Sequence, residues 1–215
     1  MLKDLHHVMQ GFIFDLDGVL VDTARFHYQA WKRLAAEMGF DFSERDNELL
    51  KGVSRMRSLE ILLEIGKLTI SDEEKTFLAE KKNHWYVELL NQIDASHLLP
   101  GTWEYLNMLK TAQKKVALGS ASKNASFILQ KLKIYHYFDV IIDGNLVSKA
   151  KPDPEVFVKA ADGLDVPYQK CVVFEDSQAG IMAAKSAGMN VVAVGNRELL
   201  PGADWYVQDL SQIIE

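Results

Sequence analysis

Cysteine is almost absent from this sequence, which contains only Cys171. A single cysteine excludes an internal disulfide framework and suits a reducing cytosol, so we expect a cytoplasmic protein. Cys171 begins the apolar run Cys171-Val172-Val173-Phe174, and free cysteines in such runs are usually buried and inert. We therefore predict that this thiol has a packing role and not a catalytic one.

Long apolar runs and excess positive charge are also missing. No apolar stretch approaches the roughly 18 residues of a transmembrane helix. Residues 1–10 lack the apolar segment of a signal peptide, so we expect a frayed lead-in there. The formal net charge of −6 disfavours nucleic acid or an anionic membrane as the main partner. A small anionic substrate stays compatible, because local cations matter more than the total charge.

Short apolar runs alternate with helical patterns along most of the 215 residues, 48% of which are hydrophobic. This length favours one medium domain, or one domain with a modest insertion. The apolar runs are continuous, which is typical of strands covered on both faces. We predict strands at 11–14, 116–118, 140–142, 172–174 and 191–194, and helices at 102–112, 125–132, 154–164 and 177–187. The alternation predicts an α/β fold with a doubly wound parallel sheet.

The interval between the first two strands breaks this alternation, because most of it has helical patterns. Apolar side chains recur at helical spacing over residues 26–38, and Gly39 supplies a stop. Residues 71–74 have the form of a capping box that opens another long helix. We predict an all-helical, four-helix-type cap at residues 23–93, inserted after the first strand. Residues 1–22 and 94–215 then form the catalytic core.

Polar residues suited to phosphate or metal chemistry follow four of the predicted strands. In open α/β sheets, ligands bind beyond the carboxyl ends of the strands. Each group alone is weak evidence, but the four together indicate one active site at this edge of the sheet. In chain order they are Asp15 with Asp17, then Ser120, then Lys151, then Glu175 with Asp176.

Asp15 and Asp17 are two residues apart at the end of the first strand. Side chains at this spacing in an extended chain share a face and are separated by roughly 6 to 7 Å. A phosphoryl group fits between them, with one carboxylate attacking and the other moving protons, since Asp is a recognised nucleophile in aspartyl-phosphate chemistry. The alternative is a solvated turn in which Asp17-Gly18 supplies only turn chemistry.

The remaining strand ends suggest a magnesium site and a phosphate site. Glu175 and Asp176 are hard oxygen ligands of the kind that Mg²⁺ prefers, although acidic residues also favour the first turn of a helix. The segment 120–124 offers hydroxyls, amides and an ammonium group before a helix, which suits an anion and equally suits helix capping. Lys151 could neutralise a transferring phosphoryl group, and a solvated lysine is the alternative.

The ordered set of motifs resembles the haloacid dehalogenase superfamily over nearly the whole chain. The motifs are Asp15-x-Asp17-Gly18-Val19-Leu20-x-Asp22-Thr23, the serine after the second strand, Lys151-Pro152 and Glu175-Asp176-Ser177. The resemblance implies that Asp15 is the nucleophile, Asp17 is the acid/base, and Ser120 and Lys151 hold the phosphoryl oxygens. It also implies Mg²⁺ as cofactor, bound by Asp15, Asp17 (through its backbone carbonyl), Glu175 and Asp176.

Within that superfamily, the cap and the loop after the second strand resemble the substrate-contacting segments of the hexose-phosphate mutases. The implied reaction interconverts β-D-glucose 1-phosphate and glucose 6-phosphate through β-glucose 1,6-bisphosphate. These sugar phosphates are the expected partners, and a monomer is the expected state. The implied substrate-binding residues are His27, Trp31, Lys51, Gly52, Val53, Ser54, Arg55, Ser58, Lys82, Asn83, Ala121, Ser122, Lys123 and Asn124.

Two cap residues have a structural alternative. His27 either hydrogen-bonds Asp17 or the cap loop, or it is simply packed or solvated. Trp31 lies on an apolar stripe, so a core or pocket-wall position competes with stacking on sugar. The protonation state of Asp17 stays open, because burial beside Asp15 and a bound Mg²⁺ would act on its pKa in opposite directions.

Four other functions compete with a mutase. A sugar-phosphate phosphatase would need the same core residues, but it need not have Arg55 with Lys82 and Asn83. A dehalogenase does not require the acid/base Asp17. A phosphonate hydrolase would need an imine-forming cap lysine; Lys51 is in a suggestive loop, but the neighbouring Gly52-Val53-Ser54-Arg55 fits a mutase better. A non-catalytic sugar-phosphate sensor is disfavoured, because every position that the chemistry needs is filled.

Overall fold

The computed structural model describes residues 5–214; the predicted core positions 1–4 and 215 lie outside the described residues. Its helices are α1 (Leu5–Val8), α2 (Ala24–Glu37), α3 (Glu44–Glu48), α4 (Arg55–Gly66), α5 (Asp72–Leu90), α6 (Thr102–Thr111), α7 (Ala125–Lys131), α8 (Glu155–Leu164), α9 (Gln178–Ser186) and α10 (Ser211–Ile214). Short 3₁₀ turns lie at Ala95–His97, Tyr135–Tyr137 and Tyr168–Lys170. No helix in the described part of the chain is long and apolar enough to span a membrane.

Six parallel strands form the sheet of the core. They are β1 (Gly11–Phe14), β2 (Lys115–Gly119), β3 (Val140–Ile142), β4 (Cys171–Glu175), β5 (Asn190–Val194) and β6 (Trp205–Val207), in the order β3-β2-β1-β4-β5-β6. The parallel α/β prediction is confirmed. β6 was missed, although Trp205-Tyr206-Val207 is an apolar run as short as those predicted at 116–118 and 140–142; the first two of its residues are half-buried.

Both faces of the sheet are covered, which explains the continuous apolar strands. Phe12 and Phe14 of β1 belong to the core cluster that includes α6 and the cap helices. Ile13 points to the opposite face and packs with α8 and α9, as the two-residue period of a strand requires. Cys171 is buried among the latter residues, and burial raises the pKa of its thiol to about 11. An inert packing role follows.

The four helices α2 to α5 lie consecutively between β1 and β2. The chain enters and leaves this helical region through adjacent segments, because Val21 bridges Leu98 and the amide of Leu99 donates to Leu20 O at 3.0 Å. Paired entry and exit segments suit an inserted domain. The exact limits of the cap, residues 23–93, stay a prediction.

Two local predictions need correction. Residues 5–8 form α1, and Leu5 and Met9 are buried against the core, so this part of the predicted lead-in is packed and not frayed. Ser71 caps α5 by accepting from the amide of Glu74. Reciprocal capping boxes form instead at Ser43 with Asp46 and at Asp94 with His97.

Candidate active site

The carboxylates of Asp15, Asp17 and Asp176 come together beyond the end of β1. The Asp15 amide donates to Phe174 O of β4 at 3.0 Å, which continues the sheet pairing by one residue. Gly18 then turns the chain at φ 82°, and a Cβ added there would collide with the Asp176 carboxylate. A glycine is therefore needed for Asp176 to approach the Asp15–Asp17 turn so closely.

Lys151 lies buried between two carboxylates. Its Nζ donates to Asp15 Oδ1 at 2.6 Å and also contacts Glu175 Oε1. Burial alone would lower the pKa of Lys151, but the charges of Asp15 and Glu175 outweigh it and hold the pKa above its usual value. The ammonium group therefore stays charged beside the predicted nucleophile.

The donor set around Asp15 fits a divalent cation. Burial raises the pKa of Asp15 to about 7, with Lys151 opposing and the neighbouring carboxylates adding to the rise. Burial, and then repulsion from Glu175 and Asp15, raises the pKa of Asp176 well above its usual range. Crowded carboxylates of this kind are stabilised by a hard cation such as Mg²⁺, which takes one or two carboxylates and completes its shell with water and phosphate.

Glu175 is placed differently from the other predicted metal ligands. Its Oε1 contacts Lys151, and its Oε2 accepts from the amide and hydroxyl of Ser177, each at 2.8 Å. Oε2 already accepts two bonds, so direct binding of a cation would fall to Oε1, beside the Lys151 ammonium. Across the described residues, no cluster of three or more His, Cys, Asp or Glu side chains converges as a ready-made metal site. The full ligand set stays a prediction.

Asp17 is held by Thr23. The Thr23 hydroxyl, at the start of α2, donates to Asp17 Oδ1. Burial raises the pKa of Asp17, and this Thr23 contact and the charges of Lys151 and Lys82 partly oppose the rise. A raised pKa favours a carboxyl that can give a proton to a leaving group. In this structure Thr23, and not His27, is the cap residue that binds Asp17.

His27 and Lys82 form a buried contact inside the cap. Lys82 Nζ lies 2.9 Å from His27 Nδ1 and 4.5 Å from the centre of the Trp31 ring. Burial, and then the charges of Lys82 and Arg55, hold the pKa of His27 well below its usual value, so the imidazole is neutral; burial also holds the pKa of Lys82 well below its usual value. His27 also stacks on Tyr86, with ring centres 4.0 Å apart.

The loop after β2 connects the core to the cap. Ser120 is fully buried, and its hydroxyl accepts from the amide of Ser122 at 3.1 Å. Asn124, at the start of α7, donates through its side chain to Asn83 Oδ1 of α5 at 2.9 Å. The core loop and the cap helix are therefore in direct contact at two predicted substrate-binding residues.

The cap loop before α4 contacts the core on the other side. Lys51 Nζ lies 3.9 Å from Asp176 Oδ2, and Gly52 packs directly against Ser177. Ser54 accepts from the amide of Arg57, which makes it the N-cap of α4. Its oxygen thus accepts a bond within the cap, while a serine hydroxyl can still donate its proton.

A single cavity of about 450 Å³ lies between cap and core. Every predicted site residue except Glu175 lines it. Several lining residues were not predicted from the sequence, including Thr76 and Glu80 of α5 and Gly144 and Ser148 after β3. Thr76 and Glu80 precede Asn83 at helical spacing, so that spacing was the available signal. Nothing local in the sequence marked the residues after β3.

Comparisons with known proteins agree with this architecture. Residues 12–194 match the family model described as haloacid dehalogenase-like hydrolase. The chain is 42% identical to the β-phosphoglucomutase of Bacillus subtilis (strain 168) over 207 residues, which cover 95% of this chain and 92% of that protein. It is 36% identical to the phosphorylated carbohydrates phosphatase of Thermotoga maritima over 186 residues, covering 84% of this chain and 82% of that protein.

A solved structure resembles this chain in both fold and sequence. The crystal structure of β-phosphoglucomutase from Clostridium difficile superimposes with a TM-score of 0.91 at 46% identity, covering 95% of this chain and 92% of that one. With the parallel sheet, the carboxylates after β1 and β4 and the matched residues 12–194, the chain belongs to the haloacid dehalogenase-like hydrolase family.

Proposed function

We propose that this protein is a Mg²⁺-dependent β-phosphoglucomutase, which interconverts β-D-glucose 1-phosphate and glucose 6-phosphate through β-glucose 1,6-bisphosphate. The identity of 42% to a relative of that name, over 95% of the chain, supports the reaction. The observation that carries the proposal is the shared cavity, in which Arg55 of the cap and Asp15 of the core line the same space. A bisphosphorylated sugar needs one anion site at the nucleophile and another at a distance from it.

The chemistry assigns one role to each of three core residues. A carboxylate oxygen of Asp15 attacks the phosphorus of the bisphosphate, the bond to the sugar oxygen breaks, and that oxygen takes a proton from Asp17. Lys151 offsets negative charge on the phosphoryl group. The product is an aspartyl phosphate and a sugar monophosphate.

The first half-reaction leaves glucose 6-phosphate when the 1-phosphoryl group is the one transferred. In the second half-reaction, a molecule of β-D-glucose 1-phosphate presents its 6-hydroxyl to the aspartyl phosphate, so that the bisphosphate is formed again. The free hydroxyl attacks the phosphorus of the aspartyl phosphate and gives its proton to Asp17, which regenerates the Asp15 carboxylate. Ser120 and Lys151 hold the phosphoryl oxygens, and Arg55 with residues 122–124 binds the distal phosphate, since Arg is suited to forked phosphate binding. The closed cap excludes water and so protects the aspartyl phosphate.

Mg²⁺ held by Asp15, Asp176 and the Asp17 carbonyl, with Glu175 beside them, would reduce the repulsion between an anionic nucleophile and an anionic phosphate. The proposal needs one chain only, because a single chain supplies the whole cavity lining, so we assign a monomer. The phosphorylated substrates and the near-absence of cysteine favour the cytoplasm.

A phosphatase is the second candidate, because the chain is also 36% identical to a sugar phosphatase. The core chemistry would be shared, with water in place of the sugar hydroxyl. Purified protein would be given each anomer of glucose 1-phosphate with Mg²⁺ and catalytic bisphosphate, while glucose 6-phosphate and free phosphate are followed. We expect glucose 6-phosphate from the β anomer only. Free phosphate as the main product would reject the mutase, and equal use of the α anomer would reject the stereochemistry.

The role of Arg55 has a separate test with a matched control. Arg55→Ala should lower mutase turnover roughly tenfold to a hundredfold, because it removes a charge-assisted phosphate contact. Formation of the aspartyl phosphate from acetyl phosphate should change much less. Arg57→Ala is the control, since Arg57 is on the same helix but pairs with Glu60 and Glu64 at the surface. Equal losses in both assays for Arg55→Ala would mean that Arg55 does not bind the distal phosphate.

A further inference from the structure

The carboxylate of Glu155 is folded back onto the loop that carries Lys151. Glu155 begins α8, but three of its bonds leave the helix: it accepts from the Ser148 amide at 3.0 Å, the Ser148 hydroxyl at 2.8 Å and the Lys149 amide at 2.7 Å. Lys159, one turn further along α8, donates to the same carboxylate at 2.6 Å. Both oxygens are therefore engaged.

The loop held in this way reaches directly into the cavity. Ser148, Lys149 and Lys151 all line it, and Lys151 is the residue that contacts Asp15. The other side of the loop is closed by Asp153, whose amide donates to Ala150 O and whose carboxylate accepts from the Glu155 amide, each at 3.0 Å. Lys151 thus sits in a turn that is bonded on both sides.

Ordinary helix capping does not account for this arrangement. An acidic residue in the first turn stabilises its own helix through the helix dipole. Glu155 instead accepts hydrogen bonds from two backbone amides and a hydroxyl of residues that lie six or seven positions before the helix. The contact with Lys159, and then the bonds from Ser148 and Lys149, lower the pKa of Glu155 to about 2, so the carboxylate is charged at neutral pH.

We propose that Glu155 is a positioning residue, which fixes the loop 148–151 so that the Lys151 ammonium is placed against the phosphoryl group on Asp15. The inference rests on the proposed function, since it assigns Lys151 to phosphoryl transfer. The new element is that the position of Lys151 depends on contacts made by Glu155, which does not line the cavity. Positional errors of the order of 1 Å at a reacting group cost roughly a hundredfold in rate.

The test compares Glu155→Gln with Glu104→Gln in the full-length protein. Glu104 is a matched control, because it is an exposed acidic residue in the first turn of α6. A glutamine at 155 keeps the size but removes the charge, and it has one acceptor oxygen in place of the two that Ser148, Lys149 and Lys159 now share. We expect faster amide hydrogen exchange at Ser148 and Lys149 in Glu155→Gln only. The rate of aspartyl-phosphate formation from acetyl phosphate should fall roughly tenfold to a hundredfold.

A kinetic split separates positioning from general loss of structure. In Glu155→Gln, kcat should carry most of the loss and the KM for sugar phosphate should change little. Glu155→Asp keeps the charge and should recover part of the rate. Unchanged amide exchange, or faster exchange with an unchanged phosphorylation rate, would overturn the proposal. A wild-type protein that forms the aspartyl phosphate but yields only free phosphate would reject the mutase and leave this proposal standing.

Discussion

The buried Lys151 offers a quantitative test of how the site is held together. Its side chain is 0% exposed and contacts Asp15 and the equally buried Glu175. Lys151→Met removes the cation and leaves two carboxylates without their shared partner. Breaking a buried ion pair in this way costs about 3–5 kcal/mol of unfolding free energy. Lys185→Met is the control. Lys185 contacts Asp204 at 2.9 Å with its side chain 42% exposed, and exposed ion pairs contribute about 0–1 kcal/mol to the free energy of unfolding.

Both variants would be unfolded with urea in EDTA, so that bound metal does not contribute. The pH dependence gives an independent check. Without Lys151, the pKa of Asp15, which burial already raises, rises further in the folded state, so the folded protein binds more protons than the unfolded one. Stability then falls as pH rises, and the deficit of Lys151→Met should be larger near pH ~8 than near pH ~5. A deficit as small as that of Lys185→Met, or one that grows toward acid, would refute the reasoning.

Three further predictions concern other parts of the site. Gly144→Ala should lower turnover roughly tenfold to a hundredfold, because a Cβ there would collide with the backbone carbonyl of Ala121; wild-type kinetics would show that the two loops can separate without consequence. Lys82→Met should cost less urea-unfolding free energy than Lys151→Met, because removal of a buried, desolvated amine partly offsets the loss of its contact with His27 Nδ1, while mutase turnover falls; a loss of stability as large as that of Lys151→Met would contradict this. The folded-state pKa of Glu155 is lowered to about 2. Its contribution to the free energy of unfolding is therefore present above the unfolded pKa and is lost as pH falls through about 4.5 to 2. The difference in unfolding free energy between wild type and Glu155→Gln, measured with urea, should vanish in that acid range and stay constant from neutral to mildly acidic pH.

The sequence by itself determined the sheet and the location of the site. The five predicted strands were recognisable because both faces of the sheet are covered, which makes each strand a continuous apolar run. Polar residues directly after β1, β2 and β4 had to meet, because parallel strands end at the same edge. The helical cap was visible as an interruption of the alternation. All of these features depend on local residue patterns, which a single sequence displays.

Only the tertiary structure decided which partners the polar side chains take. Glu175 lies at a strand end like Asp176, yet packing directs it to Lys151 and Ser177 and away from the cavity. His27 has Lys82 as its partner and Asp17 has Thr23. The contacts of Glu155 with Ser148 also join residues without any local motif. A polar side chain has several potential partners in a sequence, and only the three-dimensional packing selects among them.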